Sequence, residues 1–373
     1  MIAMNKYFHS NYEESRETFR NLLTRVQNKW PNAELYQKAI GDSEDNTIDV
    51  IYAEAATSND KVVFFTSGEH GIEGYAGAAV IQLFVEDYME SIDPSTTGIC
   101  LIHGINPWGM KHFRRVTENN VDLNRNYFLE KQDIPMDINR NYEKESQIFL
   151  PTKPVEEIGK EKTKLYEALS KGMMNEGYKG IKKAKGMGQF EFERGVYFGG
   201  FEEEPSSTYI KSWQRQLLDN FSTVIHMDWH TALGPTNEVT MVVSEKIGES
   251  EEGLKDTYGW ENIQVFSPDT VKGDSTNHFY ELREDEYPTK RLFSALFEFG
   301  TFGTSREAEL REFTTIILEN QLYWEGTEYP ESREWIQEEL MNMFYPQDEE
   351  WKEAVLKEAG VAIKSVLGKE KIV

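Results

Sequence analysis

Cysteine is nearly missing from this chain: Cys100 is the single one among 373 residues. No disulfide framework can form within one copy, and a closed structural metal site built from several thiolates is excluded. Basic residues are also scarce. Forty Lys and Arg stand against 65 Asp and Glu, a formal net charge of -25. A surface of that sign repels nucleic acid and anionic lipid, so neither is expected as a partner. No apolar run approaches the length of a membrane span. The first residues, MIAMNKYFHSNYEESRETF, lack the apolar centre of a signal peptide. The expectation is a cytoplasmic protein without internal repeat, low-complexity tract or clear linker.

What the chain does have is core material. Hydrophobic residues make up 39% of it, enough to bury a sizeable interior. Between Glu14 and Trp30, the residues Phe19, Leu22, Leu23, Val26 and Trp30 recur at helical spacing. A strand is expected over Thr47 to Glu54. Four short apolar runs follow, each closed by turn residues: Lys61 to Thr66, Gly98 to Ile105, Phe221 to Met227 and Leu292 to Phe299. The first leads into a helical pattern over Tyr75 to Tyr88. Strands alternating with helices predict an α/β fold, a mixed and mainly parallel sheet flanked by helices. In such sheets ligands bind beyond the carboxyl ends of the strands. We expect one domain over 1–373, with a Lys- and Glu-rich insertion at about 129–195 and a helical segment from about 304. The insertion reads as a solvated helical segment or as a lid over a site.

The segments that close the apolar runs carry the reactive side chains. GEHGIEGYAG puts His70 and Glu73 three residues apart between glycines, where a turn can aim both at one divalent ion. HxxE alone is a weak signal; its place at a strand end strengthens it. DWHTALGP offers His230 as a third ligand. His226, Asp228 and His230 alternate, so an extended backbone points them to one face. His226 also reads as a core histidine, and Asp228 as the acceptor that orients a ligand histidine. Two His and one carboxylate leave a fourth position open, as in catalytic zinc sites. Arg114, Arg115 and Arg125 are cations in an acidic chain, able to hold carboxylates in two-pronged fashion or to pair with surface Glu. Asn124 beside Arg125 completes a possible carboxylate grip. Glu298, inside LFEFG, reads as a buried carboxyl poised to take a proton, or as a core partner of an arginine.

Taken together, HxxE after a strand, Asn106-Pro107 followed by Arg114-Arg115, the run Asp122 to Asn126, His230 and Glu298 resemble the carboxypeptidase A-like zinc carboxypeptidases. The resemblance covers roughly Lys61 to Asn126 and Phe221 to Gly303. It implies zinc on His70, Glu73 and His230, with Glu298 as general base. Arg115 or Arg114 would stabilise the oxyanion, and Asn124 with Arg125 would bind the free carboxylate of a substrate. The family's substrate-capping tyrosine has Tyr280 as its candidate. The DWHTA segment also resembles the aspartoacylase and succinylglutamate desuccinylase group. Three functions follow as expectations: a metallocarboxypeptidase acting on a peptide, a deacylase of small N-acyl amino acids, and a non-catalytic zinc or peptide-binding module.

Overall fold

The computed structural model describes residues 6–41, 43–135, 138–139, 142, 146–150, 152–267 and 270–373; its account of side chains leaves out 131, 147 and 172–185. Eight strands are found among them: β1 Glu34–Ala39, β2 Thr47–Ala53, β3 Lys61–Ser67, β4 Thr97–His103, β5 Thr223–Ala232, β6 Val239–Ser244, β7 Ile263–Phe266 and β8 Arg291–Gly300. They form one sheet in the order β1-β2-β4-β3-β5-β8-β6-β7. The middle four, β4-β3-β5-β8, are all parallel. β1, β2 and β6 join antiparallel, and β7 runs parallel to β6 at the far edge. The sheet is therefore mixed and mainly parallel, as the alternation of apolar runs and helical stretches implied.

Among the described residues nine longer helices accompany the sheet: α1 Tyr12–Gln27, α2 Gly74–Leu83, α3 Ile158–Met187, α4 Pro205–Asn220, α5 Glu251–Tyr258, α6 Ser275–Glu286, α7 Arg306–Glu325, α8 Pro330–Phe344 and α9 Glu349–Lys369. α1 is capped by Asn11, which accepts from the Glu14 amide at 2.9 Å, and it buries Phe19, Leu22 and Val26. It ends short of Trp30, whose indole instead donates to the carbonyl of Thr97 at 2.8 Å. α3 lies within the Lys- and Glu-rich stretch; residues 136–137, 140–141, 143–145 and 151 of that stretch are outside the described residues.

Alternation along the central strands builds two cores. Val63, Phe65, Leu101, Ile225 and Met227 face one side, with residues of α1, α2, α7, α8 and α9. Val62, Phe64, Cys100, Ile102 and Val224 face the other, with residues of α4 and α6. Burial on both faces explains why these strands read as continuous apolar runs. Each fully buried large apolar side chain is worth about 1.5–3 kcal/mol. β3 and β4 both break at a glycine with positive φ, Gly68 at 77° and Gly104 at 69°. Both strands end at the same edge of the sheet, and the chain turns there without the strain a side chain would bring.

Candidate metal centre

After Gly68 come Glu69 and His70, then one tight turn, Gly71–Glu73, that leads directly into α2. The turn is strapped to the loop that follows β4. The Gly71 amide donates to the Arg115 carbonyl at 3.1 Å and the Ile72 amide to that of Arg114 at 3.0 Å. A Cβ at position 71 would stand 2.2 Å from the carbonyl carbon of Gly109. Only glycine lets the two loops approach this closely. The turn sets His70 Nδ1 2.8 Å from Glu73 Oε1.

β5 does not stop at Met227. Its ladder with β8 continues through His230, opposite Glu298, to Ala232, opposite Gly300. The apolar run ends earlier because the residues beyond it face a polar centre, yet β8 still supplies backbone partners. His226, Asp228 and His230 consequently alternate within one strand. His230 Nδ1 lies 3.3 Å from Glu73 Oε2, and its Nε2 lies 3.0 Å from Asp228 Oδ2. The second oxygen of Glu73 also accepts from the Thr231 amide at 2.8 Å, which ties the turn to β5.

His70, Glu73 and His230 thus form a buried cluster with one ligand atom each, all within 4.8 Å of one another. The donor set fits a divalent ion. Two imidazole nitrogens and a carboxylate converge, and His230 Nδ1 makes no hydrogen bond of its own. Each imidazole has a carboxylate on its other nitrogen. Asp122 Oδ1 stands 3.1 Å from His70 Nε2, and Asp228 serves His230 in the same way. Such partners fix the tautomer and aim the free nitrogen. Asp122 is itself held by Arg115, and Asp228 by the Thr66 hydroxyl at 2.6 Å.

Burial disfavours charge at every one of these groups, but the pairings outweigh it. Burial works to raise Asp122, yet Arg115 and His70 hold it well below the usual carboxylate range. Glu73 is likewise held down against burial by His70 and His230. Burial would lower His230, but Asp228 and Glu73 keep it well above the ordinary imidazole value. Two carboxyls go the other way. Burial pushes Glu298 up to about 8, with Glu73 adding to the effect. Burial and the neighbouring Asp228 raise Glu69 well above its normal value.

The other residues singled out in the sequence are placed as follows. Glu298 Oε2 is buried without a hydrogen-bond partner. Arg115 is partly buried, pairs with Asp122 and is close enough to act on the charges of Glu73 and Glu298. Arg114 turns elsewhere: it forks onto Glu319 of α7 at 2.6 and 3.2 Å and lies over the Tyr323 ring at 3.6 Å. Asn124 and Arg125 are both buried. Asn124 Oδ1 accepts from the Ser275 amide at 3.2 Å, and Arg125 Nε has no partner. Arg125 bears on the charges of Asp122 and Asp274. Tyr280 is in the core, where its hydroxyl accepts from the Ser294 amide at 3.0 Å. His226 is a core histidine, bonded to the Thr66 and Ser294 hydroxyls at 2.8 Å each.

Sequence reasoning passed over the roles of Asp122 and Glu69. Asp122 opens the DLNRN run, and an acid beside arginines was the available signal. Glu69 precedes the first histidine, and an acid at the end of an apolar strand was its signal.

A family profile described as protein of unknown function (DUF2817) matches residues 8–358. No curated protein matches the chain. Among solved structures, bovine thrombin-activatable fibrinolysis inhibitor is 14% identical with a TM-score of 0.46, over 84% of this chain and 96% of that one. Carboxypeptidase A from Helicoverpa armigera is 13% identical with a TM-score of 0.45, over 95% of this chain and 74% of that one. A Shewanella frigidimarina protein carrying the name succinylglutamate desuccinylase/aspartoacylase is 17% identical with a TM-score of 0.39, over 78% of this chain and 72% of that one. At these values the likenesses assign no activity. No helix among the described residues is long and apolar enough to cross a membrane.

Proposed function

The chain belongs to the family described as protein of unknown function DUF2817, and from that premise we propose that it is a zinc-dependent amide-bond hydrolase, a metallocarboxypeptidase that removes a C-terminal residue from a peptide. One observation carries the reading. Two imidazoles and a carboxylate from different strand ends converge, and Glu298, whose Oε2 has no hydrogen-bond partner, lies directly across the ladder from His230. His70, Glu73 and His230 would hold the ion and leave a fourth position open. Zinc, when bound, supplies Lewis-acid charge that polarises the scissile carbonyl and acidifies nearby water.

The chain's own groups supply the rest. Asp122 and Asp228 keep both ligand imidazoles in register. Glu298 is the general base. In its ionised form it accepts the proton of the attacking water and returns it to the leaving amine, and the burial that raises its pKa strengthens it as a base. Arg115, locked by Asp122, meets the negative charge that develops on the carbonyl oxygen, where a fixed cation gains most. Arg114 is committed to Glu319 and is left out of this role. Asn124 and Arg125 grip the free carboxylate of the substrate. Asp122, Asp228, Asn124 and Arg125 are buried and Arg115 and Glu298 partly so, which favours a chain end or a small molecule over the middle of a polypeptide.

The test is metal analysis of the purified protein with a hydrolysis screen over peptides and N-acyl amino acids. Glu298→Gln keeps the shape but cannot take the proton. It should retain zinc while hydrolysis falls roughly 10²–10⁴-fold. Loss of zinc from this variant, or near-normal turnover, overturns the assignment of the base. Cleavage of N-acyl amino acids with peptides left intact would move the substrate to the deacylase class, the second reading that the DWHTA strand end supports.

A further inference from the structure

A second set of donors lies on the other side of the His230 ring. We propose that Glu69, Asp228 and the Nε2 of His230 hold a second divalent cation of the zinc or manganese type; the Nε2 proton that Asp228 accepts in the metal-free form is released to solvent on loading, and His230 then bridges the two sites as imidazolate. The three ligand atoms lie within 4.8 Å of one another and all three residues are buried. Asp228 Oδ2 is 3.0 Å and Glu69 Oε2 3.6 Å from His230 Nε2. Donors arranged tetrahedrally at about 2.0–2.2 Å from an ion stand about 3.3–3.6 Å apart, close to this spacing.

Glu69 is the observation that points to a ligand. It is 1% exposed, is aimed at the ring, and neither of its oxygens has a hydrogen-bond partner. The hydroxyls of Ser275 and Tyr127 face it at the outer limit of hydrogen-bonding range. A carboxyl sealed from water without partners is costly, and a coordinated cation removes that cost. Orientation of His230 by Asp228 accounts for Asp228 alone and leaves Glu69 with nothing to do. The surroundings are acidic as well: Glu69, Glu73, Asp122, Asp228 and Glu298 gather around Arg115 and Arg125. Both Glu69 oxygens are closed off from solvent, a setting that suits a small ion more than a bulky organic cation.

An imidazole bridge separates two ions by about 6 Å, given bonds of about 2.0–2.1 Å on either side of the ring. That exceeds the about 3.5–4 Å of two-metal hydrolytic centres. The second ion therefore acts on His230, which it fixes from behind, and not on the scissile bond.

The experiment is to strip the full-length protein with a chelator, titrate it with Zn²⁺ and in parallel with Mn²⁺, and count bound ions by elemental analysis. Wild type should bind two ions per chain, Glu69→Gln one, and His70→Ala one. Circular dichroism checks that each variant is folded; should one fail to fold, the wild-type count decides. Saturation of wild type at a single ion that Glu69→Gln retains overturns the proposal and leaves the His70 site standing. Two ions in both wild type and Glu69→Gln also overturns it. A single ion kept by His70→Ala but lost in Glu69→Gln supports the Glu69 site and sinks the ligand set of the proposed hydrolase. No bound ion in wild type removes both.

Discussion

Four residues apart on β5, His226 and His230 share one face of the sheet and nearly complete burial, but they sit in opposite electrostatic settings. At mid-sheet, Phe64 and Ser294 flank His226 on the neighbouring strands. The ring meets two hydroxyls and stacks on Phe64 at 4.4 Å between centroids. Uncharged partners cannot compensate for lost water, and burial pushes His226 down to about 4. At the carboxyl edge, His230 meets Asp228, Glu73 and Glu69, and its basicity rises despite equal burial. Depth does not decide what a buried imidazole does. The charge that the adjacent strand ends place around it does.

The comparison breaks most visibly by removing each ring in turn. His230→Ala should abolish metal loading and hydrolysis together, while His226→Ala keeps the metal. Elemental analysis of the two purified variants checks this, and equal metal content in both would erase the distinction between the two levels. Asp122→Ala leaves both rings in place but deprives His70 of its orienting acceptor. Metal affinity should drop about 10–100-fold, as read by competition with a chelator. An unchanged affinity would show that the turn alone aims His70.

Smaller effects sharpen the mid-sheet side. His226→Ala strands the Ser294 hydroxyl, leaves Thr66 with Asp228 alone, and should cost roughly 1–3 kcal/mol in urea unfolding. The smallest effect is in pH. His226 and His103 both have folded pKa values near 4, lowered from 6.5 mainly by burial. Between these values the unfolded chain binds the extra protons. Stability is therefore fully present above about 6.5 and is lost as pH falls toward 4. Urea midpoints measured across that window should decline with acid, and more shallowly in the His226→Ala variant. A midpoint that rises on acidification would contradict neutral burial.

The central strands were legible because both faces are buried, so KVVFFT and GICLIH read as unbroken apolar runs. β1 was not. Its ELYQKA lies at an edge and is mostly exposed, leaving no apolar pattern to detect. The short β7 gives little more signal. The end of β5 was misplaced because strand continuation there depends on β8, a partner far away in sequence. In the site, the HxxE spacing and the strand-end positions singled out His70, Glu73 and His230, which the fold brings into one buried cluster. It could not separate Arg114 from Arg115. That difference comes from Glu319 and Asp122, one of them on a helix some two hundred positions away.

The bonds that shape the first cluster do not involve an ion. The Thr231 amide holds Glu73, and the Gly71 and Ile72 amides hold the turn to the arginine loop. A cradle fixed by peptide groups has already met its ordering entropy during folding, so loading leaves the backbone nearly unchanged. Chelation should then empty the cluster without melting the chain, unlike small domains whose folding waits for the metal. Rigidity of this kind constrains geometry more than identity. Several first-row ions accept imidazole and carboxylate donors, and availability then decides among them. The metal carried by this chain would accordingly track the supply of its surroundings, and preparations from different growth media would differ in content while sharing one fold.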